Sequence, residues 1–507
     1  MSGRNVLVLG AGIEGLVAAA TMAVAGRSVH VIDGNEKPGG IAARFPISEG
    51  YSAPGLLVDA SLIRRSLLKG LGLEGAGLSW SAEEWALHVG RVGAAPLTIH
   101  RGRLDGFDAA DAAAHAEWRG YVDRLSGFIA DVLNGAPPVL DEPGVADMLG
   151  LAMKGLRLRS LGDSDMMELL RIVTLPARDW MDEQFSSSEL KVGLVSSILT
   201  GTVVGPRAAG TTALMLMREA ARGPEPAGGV AGLAEALVRR CTELGVGFHL
   251  GSEPNAILVD AREGRVTGVR CGSEEHEGSL VVSTLDPART LLDLVDPEFV
   301  PHHVENELLG WRRRGDTAVQ LFACATAPQF GNDEGPPVER LMTARSLDQL
   351  ELAADSLKYG TLPEDPGLDV RVWRGPGCAP AGGATLVIHV HGVPHGGDGG
   401  LSEGARTSLR NRVVGIIASM SPGFEASIRG EALLTPCDIE ARFGLPGGHL
   451  YEGEQALDQL WVQRPAMALS RYSTPIDGLF LAGAGSHPGG PFLGGAGALG
   501  AQRALRG

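Results

Sequence analysis

The chain has 507 residues, 44% of them hydrophobic, with 73 glycines and 30 prolines. That is roughly three domains' worth of length, and the balance fits a loop-rich α/β protein and excludes a disordered or fibrous one. Sixty acidic against 44 basic side chains leave a formal charge of -16, which repels phosphate backbones and argues against a nucleic-acid partner.

The five cysteines, Cys241, Cys271, Cys324, Cys378 and Cys437, are scattered and form no CxxC pair. Such a set argues against a disulfide framework or a zinc site, so a reducing, cytoplasmic location is expected. No run of about 18 strongly apolar residues predicts a membrane-spanning helix, and peripheral contact with a membrane stays open.

In chain order, the first predicted element is a buried parallel strand over residues 5 to 9. It runs straight into Gly10-Ala11-Gly12-Ile13-Glu14-Gly15 rather than into a cleavage site, which excludes a signal-peptide reading. A helix over residues 16 to 25, closed by Gly26, and a second strand, Val29 to Ile32, ending in Asp33, follow. Gly10 makes the turn, Gly12 lets backbone approach a pyrophosphate and Gly15 lets helix and strand pack closely, with helix N–H groups aimed at the phosphates. Asp33 at the strand end can accept both ribose hydroxyls of an adenosine half. A second GxGxxG, Gly495-Ala496-Gly497-Ala498-Leu499-Gly500, stands too near the end of the chain to open another such unit.

Between the first unit and the end, a helical insert is expected from Ala109 to Leu133, near 164–185 and in the apolar stretch near 189–220. Gly228-Gly229 opens a helix to Leu244, followed by short strands near 246–250, 256–260 and 265–271 and by the apolar run Leu280 to Ser283. Alternation in Thr317 to Phe322 and Thr385 to His391 predicts half-buried antiparallel strands. The last segment, Gly478-Leu479-Phe480-Leu481-Ala482-Gly483-Ala484-Gly485-Ser486-His487-Pro488-Gly489-Gly490 and on to Ala496, reads as a buried strand, a glycine-rich loop and a helix. Such a helix N-terminus is suited to negative charge.

The Gly39-Gly40 pair after Asp33 and the LFLAGAGSHPGG stretch resemble FAD-dependent oxidoreductases of the phytoene desaturase or phytoene dehydrogenase-like branch, including its carotenoid ketolase and pyridine-nucleotide-disulfide-oxidoreductase-domain subgroup. The resemblance covers nearly the whole chain. It implies an α/β fold in which a Rossmann-type FAD-binding domain of the glutathione-reductase-like superfamily carries a substrate domain of antiparallel sheet and helical cap. The FAD-binding domain is expected from 1–75, 226–298 and 445–507, the helical cap from 76–225 and the antiparallel sheet, roofing the flavin, from 299–444. The cofactor implied is FAD, held by Gly10, Gly12, Ile13, Glu14, Gly15, Asp33, Gly34, Gly39, Gly40, Arg44, Gly483, Ala484, Gly490, Gly495 and Ala496, with Arg44 near its phosphates or flavin and the last helix N-terminus near the N1–C2=O edge.

Three departures stand out. Ala484 replaces an acidic residue found in the wider superfamily, Glu253-Pro254 replaces a Glu-Val pair that clasps adenine, and Glu452 stands where subgroup members often carry histidine. Proline has no N–H to offer.

His487, in the late loop, and His449, after Gly447-Gly448, are the candidate catalytic side chains, although His487 is as well explained as a structural histidine bonded to nearby backbone and His449, with Glu452 and Glu454, as part of a surface loop. His389 and His391 share a strand face but lack a third ligand with recognisable spacing, so no metal is expected. The activity expected is a dehydrogenase or desaturase passing hydride from a largely apolar, polyene or lipid-like small molecule to flavin N5. The alternatives are a reduced-flavin isomerase, a carotenoid-ketolase-like oxygenase and, in another class, a lipid-binding escort protein of the same fold.

Overall fold

The computed structural model describes residues 5–82, 85–140, 144–331 and 337–507. At its centre five strands run parallel: β1 (Val6–Leu9), β2 (Val29–Asp33), β3 (Gly247–Leu250), β4 (Leu280–Ser283) and β5 (Leu479–Leu481), in the order β5-β4-β1-β2-β3. β1 lies in the middle, with Val8 opposite both Val31 and Val282. Val6, Leu7, Val8 and Leu9 are all buried, because a parallel strand covered on both faces has no side for polar residues.

Helix α1 (Ile13–Val24) packs on this sheet between α2 (Gly229–Glu243) and α3 (Gly495–Arg506). The late glycines of the second GxGxxG make that approach possible. A Cβ on Gly497 would lie 2.3 Å from the Glu14 carbonyl oxygen, and one on Gly500 would lie 2.5 Å from the Ala482 Cβ. They are packing glycines, joining α3 to α1 and to the end of β5.

A second sheet has eight strands in the spatial order 428–434, 317–324, 384–391, 368–373, 340–342, 86–91, 94–100 and 104–105. All its pairs are antiparallel except Arg340–Met342 against Ala86–Arg91, which is parallel. The expectation of a helical cap over 76–225 is corrected in part here, since residues 86–105 form strands that extend this sheet. Leu87, Val89, Leu97 and Ile99 are buried and alternate with His88 and Thr98, a period of two across a short, glycine-interrupted hairpin.

The remainder of that insert is helical. Ala109–Leu133 is one helix of 25 residues, capped by the Asp108 side chain, which accepts from the Asp111 N–H. The stretch expected near 164–185 is two helices, Asp163–Ile172 and Ala177–Gln184, separated at Pro176, where a proline lacks the N–H that a continuous helix needs.

Candidate functional site

The glycine turn is fixed by sterics. Gly10 has φ 98°, and a Cβ there would lie 2.5 Å from Thr284 Oγ1, whose hydroxyl donates to the Leu9 carbonyl at 2.7 Å. A Cβ on Gly15 would lie 1.9 Å from the Gly10 carbonyl oxygen, whereas one on Gly12 would meet nothing within 4 Å. Gly12 is thus spared a side chain by what binds beside it, not by its own fold. It is also the N-cap of α1 and makes no side-chain cap, so the first amides of α1 are left for an anion.

Asp33 Oδ2 accepts from the Ala11 N–H at 2.6 Å and Oδ1 from the Asn35 N–H at 2.7 Å. Oδ1 also accepts from Asn35 Nδ2 at 2.8 Å, so it is Oδ2 that keeps a lone pair for a ribose hydroxyl. From Asp33 a cleft passes the glycine turn and reaches the late loop. Gly10, Gly12, Ile13, Glu14, Gly15, Asp33, Gly34, Gly39, Gly40, Ala484 and Gly490 all line it, as do Glu253 and Pro254. The structure thus brings eleven of the expected cofactor residues together.

The other expected residues lie elsewhere. Arg44 is corrected: its Nε donates to Glu235 at 2.6 Å and its Nη1 to the Gly377 carbonyl at 2.9 Å, so a carboxylate on α2 holds it away from the cleft. Gly483, Gly495 and Ala496 sit behind the lining, buried against Thr284, Pro488 and the packed helices.

The expectation that the N-terminus of α3 faces the flavin edge is also corrected. The Glu14 carboxylate already accepts from Gly494 N–H at 2.7 Å and Gly497 N–H at 2.6 Å. Burial pushes this carboxyl up to about 7, against the lowering effect of those two amides.

Neither candidate histidine lines the cleft. His487 Nε2 bonds the Val132 carbonyl at 2.9 Å, tying the late loop to the end of the Ala109–Leu133 helix. The His449 ring accepts at Nδ1 from the Tyr451 N–H at 3.1 Å. Burial lowers both to about 4, so both are uncharged at neutral pH. His389, on the roof strand, bonds the Leu56 carbonyl at 2.8 Å and shares a hydrogen bond with Thr200.

Two contributors, Arg464 and Asp286, escaped the sequence reading, and a third, Glu452, stood out there only as a departure from the subgroup's histidine. Arg464 is fully buried, and its guanidinium collects the carbonyls of Tyr451, Glu452, Gly453, Glu454, Gln459 and Ala484, the last at 2.7 Å. One side chain therefore pins the 451–459 segment to the late loop, and Gly489 must be glycine because a Cβ there would lie 2.0 Å from Arg464 Nε. Asp286, just beyond β4, lines the cleft and accepts from Trp311 Nε1 at 3.1 Å and Arg313 Nη1 at 2.8 Å. Glu452 lines the cleft, as Ala484 does, and its Oε2 is buried.

A nicotinamide dinucleotide needs only the first wall of this cleft, the turn and Asp33. The second wall, from residues 484–493, extends it in the way a flavin dinucleotide requires, and uncapped α1 amides with an open Gly12 suit its pyrophosphate. The chain is an FAD-dependent oxidoreductase of the Rossmann type.

Residues 8–61 match the family described as an NAD(P)-binding Rossmann-like domain, the part of the fold common to dinucleotide sites. The chain is 26% identical over 97% of its length to pyridine nucleotide-disulfide oxidoreductase domain-containing protein 2 of Rattus norvegicus, covering 92% of that protein. Over 54% of its length it is 29% identical to the phytoene desaturase (neurosporene-forming) of Rhodobacter capsulatus, covering 52% of it. A double mutant of putrescine oxidase shares the fold at a TM-score of 0.63 and 17% identity, over 99% of this chain and 98% of that one. The chain is thus similar along nearly its whole length to a pyridine nucleotide-disulfide oxidoreductase domain-containing protein and over about half of it to a phytoene desaturase.

Proposed function

We propose that the protein is a dehydrogenase or desaturase acting on a largely apolar small molecule, polyene or lipid-like. When bound, FAD supplies the two-electron acceptor, whose N5 takes a hydride from a substrate C–H bond. The protein contributes binding, orientation and exclusion of water.

The observation that carries this reading is the state of the histidines around the late loop. His487, His449 and His389 are buried, uncharged and bonded to backbone or to Thr200, so their roles are structural rather than acid–base. Desaturation removes one hydrogen as hydride and the neighbouring one as a proton, which departs to solvent water as the double bond forms, so the step needs no charged histidine. The partial match to a phytoene desaturase favours an apolar substrate.

A second observation bears on where such a substrate is met. On the Val145–Arg159 helix, Val145, Met148, Leu149, Met153 and Leu156 form one exposed apolar stripe, with Val145 87% and Leu149 65% exposed. Spacings of three and four place them on one face, and Arg157 and Arg159 close its C-terminal end. We read this face as a contact with a lipid surface. No described helix is long and apolar enough to cross a membrane.

The test is anaerobic stopped-flow mixing of the holoenzyme with polyene and lipid candidates. Bleaching of the oxidised flavin band supports the reading. Turnover that appears only after pre-reduction of the flavin would replace it with isomerisation.

A further inference from the structure

Glu452 has φ 49°, a left-handed conformation that disfavours any residue with a Cβ and that persists only where its surroundings impose it. The surroundings are specific. Its N–H donates to the His449 carbonyl at 3.2 Å, and its own carbonyl accepts from Arg464 at 3.3 Å, the same guanidinium that holds Ala484.

The side chain that results lines the dinucleotide cleft with Ala484, Glu14 and Asp286. Its Oε2 is buried without a hydrogen-bond partner and is 3.0 Å from where a Cβ on Gly483 would stand. Among the described side chains lining the cleft, no other has a buried polar atom left in this state. A strained backbone that brings a carboxyl with one unpartnered, buried oxygen to the wall of a ligand cleft asks for a partner from that ligand.

We infer that Glu452 is a cofactor-holding residue, whose carboxyl group donates a hydrogen bond to an oxygen of the ribityl–pyrophosphate stretch of FAD. The inference rests on the cofactor reading above and names the side chain that fixes this part of the molecule. Donation requires the acid form, and the neighbourhood favours it. Burial first, then the carboxylates of Asp286 and Glu14, push Glu452 up to about 8, opposed by the Gly485 amide and by Arg464. Arg313 faces the same group only through Asp286, with which it is paired. An ionised Glu452 beside a pyrophosphate would repel it, so FAD binding and protonation of this side chain are linked.

The experiment is titration of apoprotein with FAD, followed by flavin fluorescence between pH 6 and 9.5, for wild type, Glu452→Gln and Glu452→Ala. Wild-type Kd should be flat below about pH 7 and rise above pH 8 by up to about tenfold per pH unit, the slope of one linked proton. Glu452→Gln, an uncharged donor of similar shape, should bind at pH 6.5 within about threefold of wild type and lose the rise. Glu452→Ala should bind about tenfold or more weakly at pH 6.5, a loss suited to one buried hydrogen bond.

Wild-type pH dependence retained in Glu452→Gln, or Glu452→Ala binding as tightly as wild type, would overturn the assignment while leaving the cofactor reading intact. Wild-type protein that takes up no FAD would overturn both. If Glu452→Ala fails to fold, the pH slope of Glu452→Gln decides alone.

Discussion

Glu14 and Gly497 stand 483 positions apart in the chain, and the carboxylate of one accepts the N–H of the other at 2.6 Å. The first turn of α1 thus caps the first turn of α3, and the two glycine-rich segments that line the cleft form a single block. Replacing Glu14 by Ala leaves the Gly494 and Gly497 amides buried without an acceptor. The expected cost is about 1–3 kcal/mol, read as a lower melting temperature of the apoprotein.

The same residue has a pH signature. The Glu14 carboxyl is raised in the folded state from 4.5 to about 7, so its stabilising contribution is complete below pH 4.5 and is lost as pH rises through about 7. Glu14→Gln removes this titration. Its melting temperature should therefore fall less than that of wild type between pH 5 and pH 8.

His487 has the opposite sign. Its folded pKa is depressed from 6.5 to about 4 by burial, with Arg464 and Lys154 acting in the same direction. Its contribution is complete above pH 6.5 and is lost as pH falls toward 4. His487→Gln should be less acid-sensitive than wild type in melts between pH 6.5 and 4.5. It should also keep the shape of the wild-type pH–rate profile between pH 6 and 9, because the ring serves as an anchor to Val132.

Two glycines separate fold from cofactor. Gly15→Ala drives a Cβ into the Gly10 carbonyl and should lower apoprotein melting, whereas Gly12→Ala meets no protein atom within 4 Å and should leave it unchanged. Gly12→Ala should instead weaken FAD by about tenfold or more, since its methyl enters the path of the pyrophosphate.

Arg464→Met tests the clamp. Six backbone carbonyls lose their shared donor, and the expected cost is on the order of 3 kcal/mol or more, with loss of FAD on gel filtration. Arg44→Ala, by contrast, removes a half-exposed ion pair with Glu235 and a hydrogen bond to the Gly377 carbonyl and should change stability by about 1 kcal/mol, with FAD affinity unaltered.

What the sequence made legible was local. The turn from Leu9 to Gly15, the strand ending in Asp33 and the strand, loop and helix after Gly478 each declare themselves within about 20 residues, through apolar runs and through glycines at positions where a Cβ has no room. The 25-residue helix from Ala109 was equally plain from composition and period.

The rest depends on distant partners. Glu14 reads locally as a helix residue, and only the assembled fold brings it to Gly494 and Gly497. Arg464 reads as one arginine before a proline, and nothing nearby in sequence shows the carbonyls it gathers from 451–459 and 484. Arg44 follows the Gly39-Gly40 turn closely enough to suggest a phosphate ligand, yet Glu235, 191 positions away, captures it. The hairpin at 86–105 was hidden by its short strands and by Gly90 and Gly93, which break the alternation.

The central claim is that an early turn and a late loop together hold one flavin dinucleotide, and the most direct test is the visible spectrum of the purified protein with release of its cofactor by denaturation. The account predicts a yellow protein with an oxidised-flavin spectrum, yielding non-covalent FAD at one molecule per chain. A colourless protein that takes up no added FAD, or one that releases a nicotinamide dinucleotide instead, would contradict it.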